Sequence, residues 1–104
     1  MKKFILALLV LSAAPAYSWD GDKSGIIGLI QVTDPGNFGF RVSLKGYAPL
    51  CGNDHNWAYL AKDLPNYQVY VSALLAAKYS QSTVRIYTTK DAAGYCQIGY
   101  ILVD

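Results

Sequence analysis

The chain of 104 residues carries nine basic and seven acidic side chains, a formal charge of +2, and two of the basic ones, Lys2 and Lys3, fall at its start. Without those two the remainder is formally neutral, and a neutral surface lacks the cationic surplus that displaces counterions from nucleic acid, so that partner is excluded. Two cysteines and a single histidine fit no four-ligand spacing, so neither a metal site nor a cofactor is expected.

Lys2 and Lys3 precede an unbroken apolar run over residues 4–11, too short for a membrane span of roughly 20 residues. Small residues follow in the Ala14-Pro15-Ala16 and Ala16-Tyr17-Ser18 spacings that a signal peptidase recognises. Residues 1–18 therefore read as a cleavable signal peptide, cut after Ser18, and the product as secreted or periplasmic with no membrane span. Residues 19–104 contain no repeat and no Pro/Gly/Ser linker, and read as one domain. Cys51 and Cys96 are the only thiols, and an oxidising destination lets them pair.

Residues 19–25 form a polar leader. Residues 26–33 are rich in β-branched side chains and predict a first strand. Asp34, Pro35, Gly36 and Asn37 stack four turn formers, the signature of a hairpin. Phe38, Phe40, Val42 and Leu44 then alternate with Gly39, Arg41, Ser43 and Lys45, a second strand with one dry and one wet face. Residues 57–60 predict a short third strand. Asp63 is placed to cap a helix with Pro65 in its first turn, and Tyr67, Tyr70, Val71, Leu74 and Leu75 supply its buried stripe. Val69, Ala73 and Ala76 lie on the other side with little charge among them, which predicts a second cover, another subunit. Residues 83–89 predict a fourth strand with Val84 and Ile86 inward. Residues 95–103 predict a fifth, with Cys96, Ile98, Tyr100 and Leu102 on one face and Gly99 marking a bulge or a close approach.

The expected fold class is mainly β: a small OB-fold-like barrel of five strands with one α-helix between the third and fourth. Trp19-Asp20-Gly21-Asp22, Ser24-Gly25-Ile26-Ile27, the loop Cys51 before a Trp-containing strand, and Val84-Arg85-Ile86-Tyr87 together resemble the B subunits of the subtilase cytotoxin and typhoid toxin type. The resemblance implies an OB-fold that assembles as a ring of five, binds sialylated glycans and serves a separate catalytic A subunit. It places Ser24 against a sugar carboxylate, and Tyr87 and Thr88 on the strand that supplies an aromatic contact. In the Phe40-Arg41-Val42-Ser43 segment the family's cysteine is replaced, so the pairing of Cys96 is this chain's own.

Catalytic chemistry has few footholds. His55 stands beside Asp54, but loop neighbours do not orient an imidazole, and no phosphate loop, nucleophile elbow or zinc signature occurs. Eight of the nine tyrosines follow residue 18, together with Trp19 and Trp57, and tyrosine offers a flat apolar face with a hydroxyl handle. The reading is a non-catalytic toxin B-subunit-like module that recognises a cell-surface glycan or a protein receptor. The alternative is a periplasmic or secreted structural or inhibitor-like protein.

Overall fold

The computed structural model describes residues 18–104, so the expected signal peptide lies outside the described residues apart from Ser18. Among the described residues there are five strands and one α-helix: β1 (Gly21–Val32), β2 (Phe40–Leu44), β3 (Ala58–Tyr59), α1 (Tyr67–Ser80), β4 (Thr83–Lys90) and β5 (Cys96–Val103). The protein is mainly β, with its helix between the third and fourth strands. Strands pair in the order β1-β2-β3-β5-β4, and β4 pairs back with β1, so the ring of pairings closes. The β3–β5 pair is parallel and the other four are antiparallel.

β1 begins five residues before the expected strand, and most of the supposed polar leader belongs to it. Gly21 to Ile26 pair with Thr83 to Thr88 of β4, whereas Ile27 to Val32 pair with β2. One long strand thus serves two partners, which requires it to bend. The bend falls at Gly28, where the register with β2 slips between Ile27 and Leu29 and the Lys45 backbone approaches to 3.0 Å of where a Cβ would stand. A glycine at a bulge is the usual device for turning a strand. Hydropathy missed the first half because backbone pairing with β4 needs no apolar side chains.

Pro35–Asn37 makes a short 3-10 turn, and Phe38 leaves it in the left-handed region at φ 72°. Phe38 is therefore not part of β2. Phe40, Val42 and Leu44 point inward as the alternation implied, but on the other face Ser43 is buried and Arg41 half-buried.

The helix starts at Tyr67 with Asn66 before it and no side-chain cap, so Asp63 is not its N-cap. Pro65 disfavours helical geometry at Leu64, and the segment before Tyr67 turns instead, with the Tyr67 N–H donating to the Leu64 carbonyl at 3.1 Å. Leu74 and Ala77 are fully buried, with Tyr67, Tyr70 and Val71 packed beside them against the strand core. Leu75 is 48 % exposed, because the buried stripe follows the spacing 67, 70, 74, 77 and Leu75 lies one step outside it. Burial of Leu74 contributes about 1.5–3 kcal/mol.

On β5 the expected alternation breaks at Gly99. Tyr87 pairs with Tyr100 and Thr88 with Ile98, so Gly99 is the extra residue of a bulge. Cys96 and Ile98 are buried, but beyond the bulge Ile101 packs on the core while Tyr100 and Leu102 are about half exposed. Cys51 and Cys96 form a disulfide with Cα atoms 5.8 Å apart, tying the β2–β3 loop to the start of β5. Among the described residues no helix is long and apolar enough to cross a membrane.

Candidate functional site

The pairing of β1, β4 and β5 brings two rows of side chains to one outer face. Asp22, Tyr87 and Tyr100 form one row, and Ser24, Arg85 and Leu102 the next. Arg85 binds Asp22 diagonally across these rows, with Nε donating to Oδ1 at 2.7 Å and Nη2 to Oδ2 at 2.8 Å. A bidentate guanidinium–carboxylate pair fixes orientation as well as charge. The Arg85 hydrogen bond holds the Asp22 carboxyl below the usual carboxylate range, and Asp22 raises the guanidinium further above its own. The Arg85 guanidinium lies 5.4 Å from the centre of the Tyr87 ring.

Trp19 completes the patch. Its ring lies 6.3 Å from that of Tyr100, nearly parallel to it, and 5.7 Å from that of Tyr87, while the two tyrosine rings are 5.5 Å apart. Gly99 makes the seat, because a Cβ there would overlap the Trp19 indole. Asp20 holds the segment down: its N–H donates to the Thr88 carbonyl at 2.8 Å and its carboxylate accepts from the Lys90 N–H at 2.6 Å. Ser24 is exposed and lines a shallow groove of about 300 Å³ with Arg85, Thr83, Leu102, Val103 and Asp104.

Of the expected sugar contacts, Ser24 and Tyr87 share this face and Thr88 does not. Thr88 is fully buried, its hydroxyl donates to the Leu50 carbonyl, and it sits 3.3 Å from Cys51 Sγ. The reason is strand alternation: Val84, Ile86 and Thr88 form one inward series, so Tyr87 faces outward and Thr88 inward. That series was legible in the sequence. No spacing along the chain marks Arg85, Trp19 and Tyr100 as neighbours of Tyr87, and only the pairing of β1, β4 and β5 brings them together.

The residues expected at a subunit contact separate. Val69, 65 % exposed, and Ala73 line an apolar groove of about 280 Å³ with Tyr70, Tyr100, Ile101 and Val103, whereas Ala76 is exposed outside it. Tyr70 closes the floor by donating its hydroxyl to the Gly99 carbonyl at 3.1 Å. β5 pairs with β3 through Gln97 alone, so its edge past Gly99 has no strand neighbour on that side among the described residues.

Comparison with protein-family models, with curated proteins and with solved structures returns no match.

Proposed function

We propose that the protein is an exported, non-catalytic binding module of OB-fold type, related to toxin B subunits, that recognises a sialylated glycan on the outer face of β1, β4 and β5. The observation that carries this is the three-ring patch of Trp19, Tyr87 and Tyr100 beside the Ser24 hydroxyl and a guanidinium held by Asp22. Flat aromatic faces take the apolar side of a sugar ring, while hydroxyl and guanidinium donors take its carboxylate. The strand order, the parallel β3–β5 pair and the position of α1 support the OB-fold assignment. The disulfide supports an oxidising destination, periplasmic or secreted.

Saturation-transfer NMR with 3′-sialyllactose against lactose tests the reading. Signal is expected for the sialylated sugar only, and Tyr87→Ala should weaken it about tenfold or more, as loss of a stacking ring does at binding hot spots. Equal signals from the two sugars, or none, would favour the alternative of a structural or inhibitor-like protein.

The same reading includes a homo-oligomer, a ring of five, with a catalytic A subunit as further partner. Exposed Val69 and Val103 line, with Ala73, the groove between α1 and β5 beside an open strand edge, which is the surface a second copy would cover. Placing a charge in the groove with Ala73→Glu should convert the oligomer to monomer without unfolding it, since Leu74 and Ala77 are untouched. Light scattering decides: a wild type that is monomeric at micromolar concentration sinks the ring.

A further inference from the structure

The loop between β2 and β3 is fastened to the ring of strands at the end where β1 begins. Leu50, Cys51, Asp54 and His55 form a knot of backbone bonds: the Leu50 N–H donates to the His55 carbonyl at 2.8 Å, the Cys51 N–H to the Asp54 carbonyl at 3.1 Å and the Asp54 N–H to the Cys51 carbonyl at 2.9 Å. Ties run from the knot to the strands. Cys51 is bonded to Cys96, the Leu50 side chain is fully buried, the Thr88 hydroxyl donates to the Leu50 carbonyl, and Lys90 Nζ lies 2.6 Å from Asp54 Oδ2. The first of these is covalent, whereas the ion pair is exposed and adds little.

What the knot covers is the start of β1. The Leu50 carbonyl stands over Gly21, and a Cβ at Gly52 would meet the Asp20 carbonyl at 3.4 Å. Lys90 joins the two segments: its N–H donates to Asp20 Oδ2 at 2.6 Å, its ammonium holds Asp54, and its register partner on β5 is Cys96 itself. The same short stretch sets the outer face of β1, β4 and β5, because Trp19 precedes Asp20 and Asp22 follows Gly21. A strand end left uncovered frays at almost no cost in free energy. The loop is also held in costly geometry. Tyr47 and His55 have left-handed backbone angles, φ 57° and 54°, which persist while the surroundings enforce them.

We infer that the Cys51–Cys96 bridge is a redox latch on the outer face of β1, β4 and β5. Closed, it keeps the Leu50 carbonyl on Gly21, and with it Trp19 and Asp22 in place. Opened by a dithiol, it lets the loop relax and the start of β1 fray while the remaining strands stay paired. The reaction is thiol–disulfide exchange: a thiolate of the dithiol attacks one sulfur to form a mixed disulfide, and the other protein sulfur leaves and takes up a proton. The second thiol of the reductant then displaces the first protein sulfur. Two electrons pass to the bridge, two protein thiols form, and the dithiol becomes a disulfide. Both sulfurs are buried, so attack waits on opening of the loop. The face is thereby assembled in an oxidising destination and not in a reducing compartment. The latch rests on the proposed function only in taking this face as the one that binds a ligand.

The wild-type protein is compared by NMR before and after treatment with dithiothreitol, and mass spectrometry verifies that the bridge is open. Two ring contacts are followed: Trp19 with Tyr100, whose centres are 6.3 Å apart on the latched face, and Phe38 with Tyr59, 4.5 Å apart beside β2 and β3. Reduction should abolish the first, keep the second, and move the Asp20 amide toward its unfolded shift as its bond to the Thr88 carbonyl is lost. A bridge that merely staples the fold would leave both contacts in the folded chain, so persistence of the Trp19–Tyr100 contact overturns the latch. Loss of both contacts makes the bridge a staple of the whole domain and overturns it equally. Thr88→Val, with the bridge intact, removes the hydroxyl that holds the Leu50 carbonyl, and it should move the Asp20 amide in the same direction. An unmoved amide in that variant overturns the route through Leu50. Reduction should also weaken 3′-sialyllactose binding about tenfold or more. A bridged protein that gives no sialyllactose signal loses the proposed function, while the two ring contacts still decide the latch.

Discussion

Replacing Cys51 and Cys96 together by alanine is expected to lower the free energy of unfolding by about 4 kcal/mol, the loop-closure value for a bridge of this span. The two cysteines are 45 positions apart and close a segment that holds β3, α1 and β4. Cutting the bridge frees that whole segment in the unfolded chain. Both sulfurs are buried, so the alanines also leave space beside Leu50 and Thr88. Against a total stability of about 5–15 kcal/mol for ordinary domains, such a loss is a large share. Urea unfolding of the double variant measures it, and a decrease under about 1 kcal/mol would mean that the reduced chain is already constrained by other contacts.

Gly21→Ala should be nearly as damaging and for a different reason. Gly21 faces Thr88 across the β1–β4 pair and is buried beneath the Leu50 carbonyl. A Cβ there would overlap that carbonyl oxygen and the Thr88 hydroxyl that donates to it. Neither can yield, since one is backbone beside the disulfide and the other is held inside β4. The start of β1 must therefore lift away, at a cost of about 3 kcal/mol. Lifting it also carries Trp19 and Asp22 off the outer face, so under the proposed function the variant should lose the 3′-sialyllactose signal together with stability. Gly36→Ala is the control: its Cβ would meet only Asp34 Oδ1, at 3.3 Å, and its stability should stay within about 0.5 kcal/mol of wild type. Equal stability of the Gly21 and Gly36 variants would show that this junction is looser than described.

Period-two and helical patterning alone determined the element order of the protein, the inward series of Val84 and Ile86, the helix carrying Leu74, and Gly99 as a point of bulge or close approach. These follow from local geometry, because a strand or helix displays its buried face as a spacing along the chain. The pairing of Cys51 with Cys96 was legible from elimination. What the tertiary structure decided has a common cause: it depends on which strand lies beside which. The polar half of β1 is a strand because β4 offers it a hydrogen-bonding edge, and Leu75 gives way to Ala77 because the strand core selects the angle of the helix face. The bulge at Gly99 turns Tyr100 outward, where Trp19 and Tyr87, 81 and 13 positions earlier in the chain, meet it. Arg41, the Trp57–Tyr59 segment and Tyr95 come from three separate stretches, and no spacing along the chain announces them as neighbours. Ring closure decides that, by bringing β5 alongside both β3 and β4.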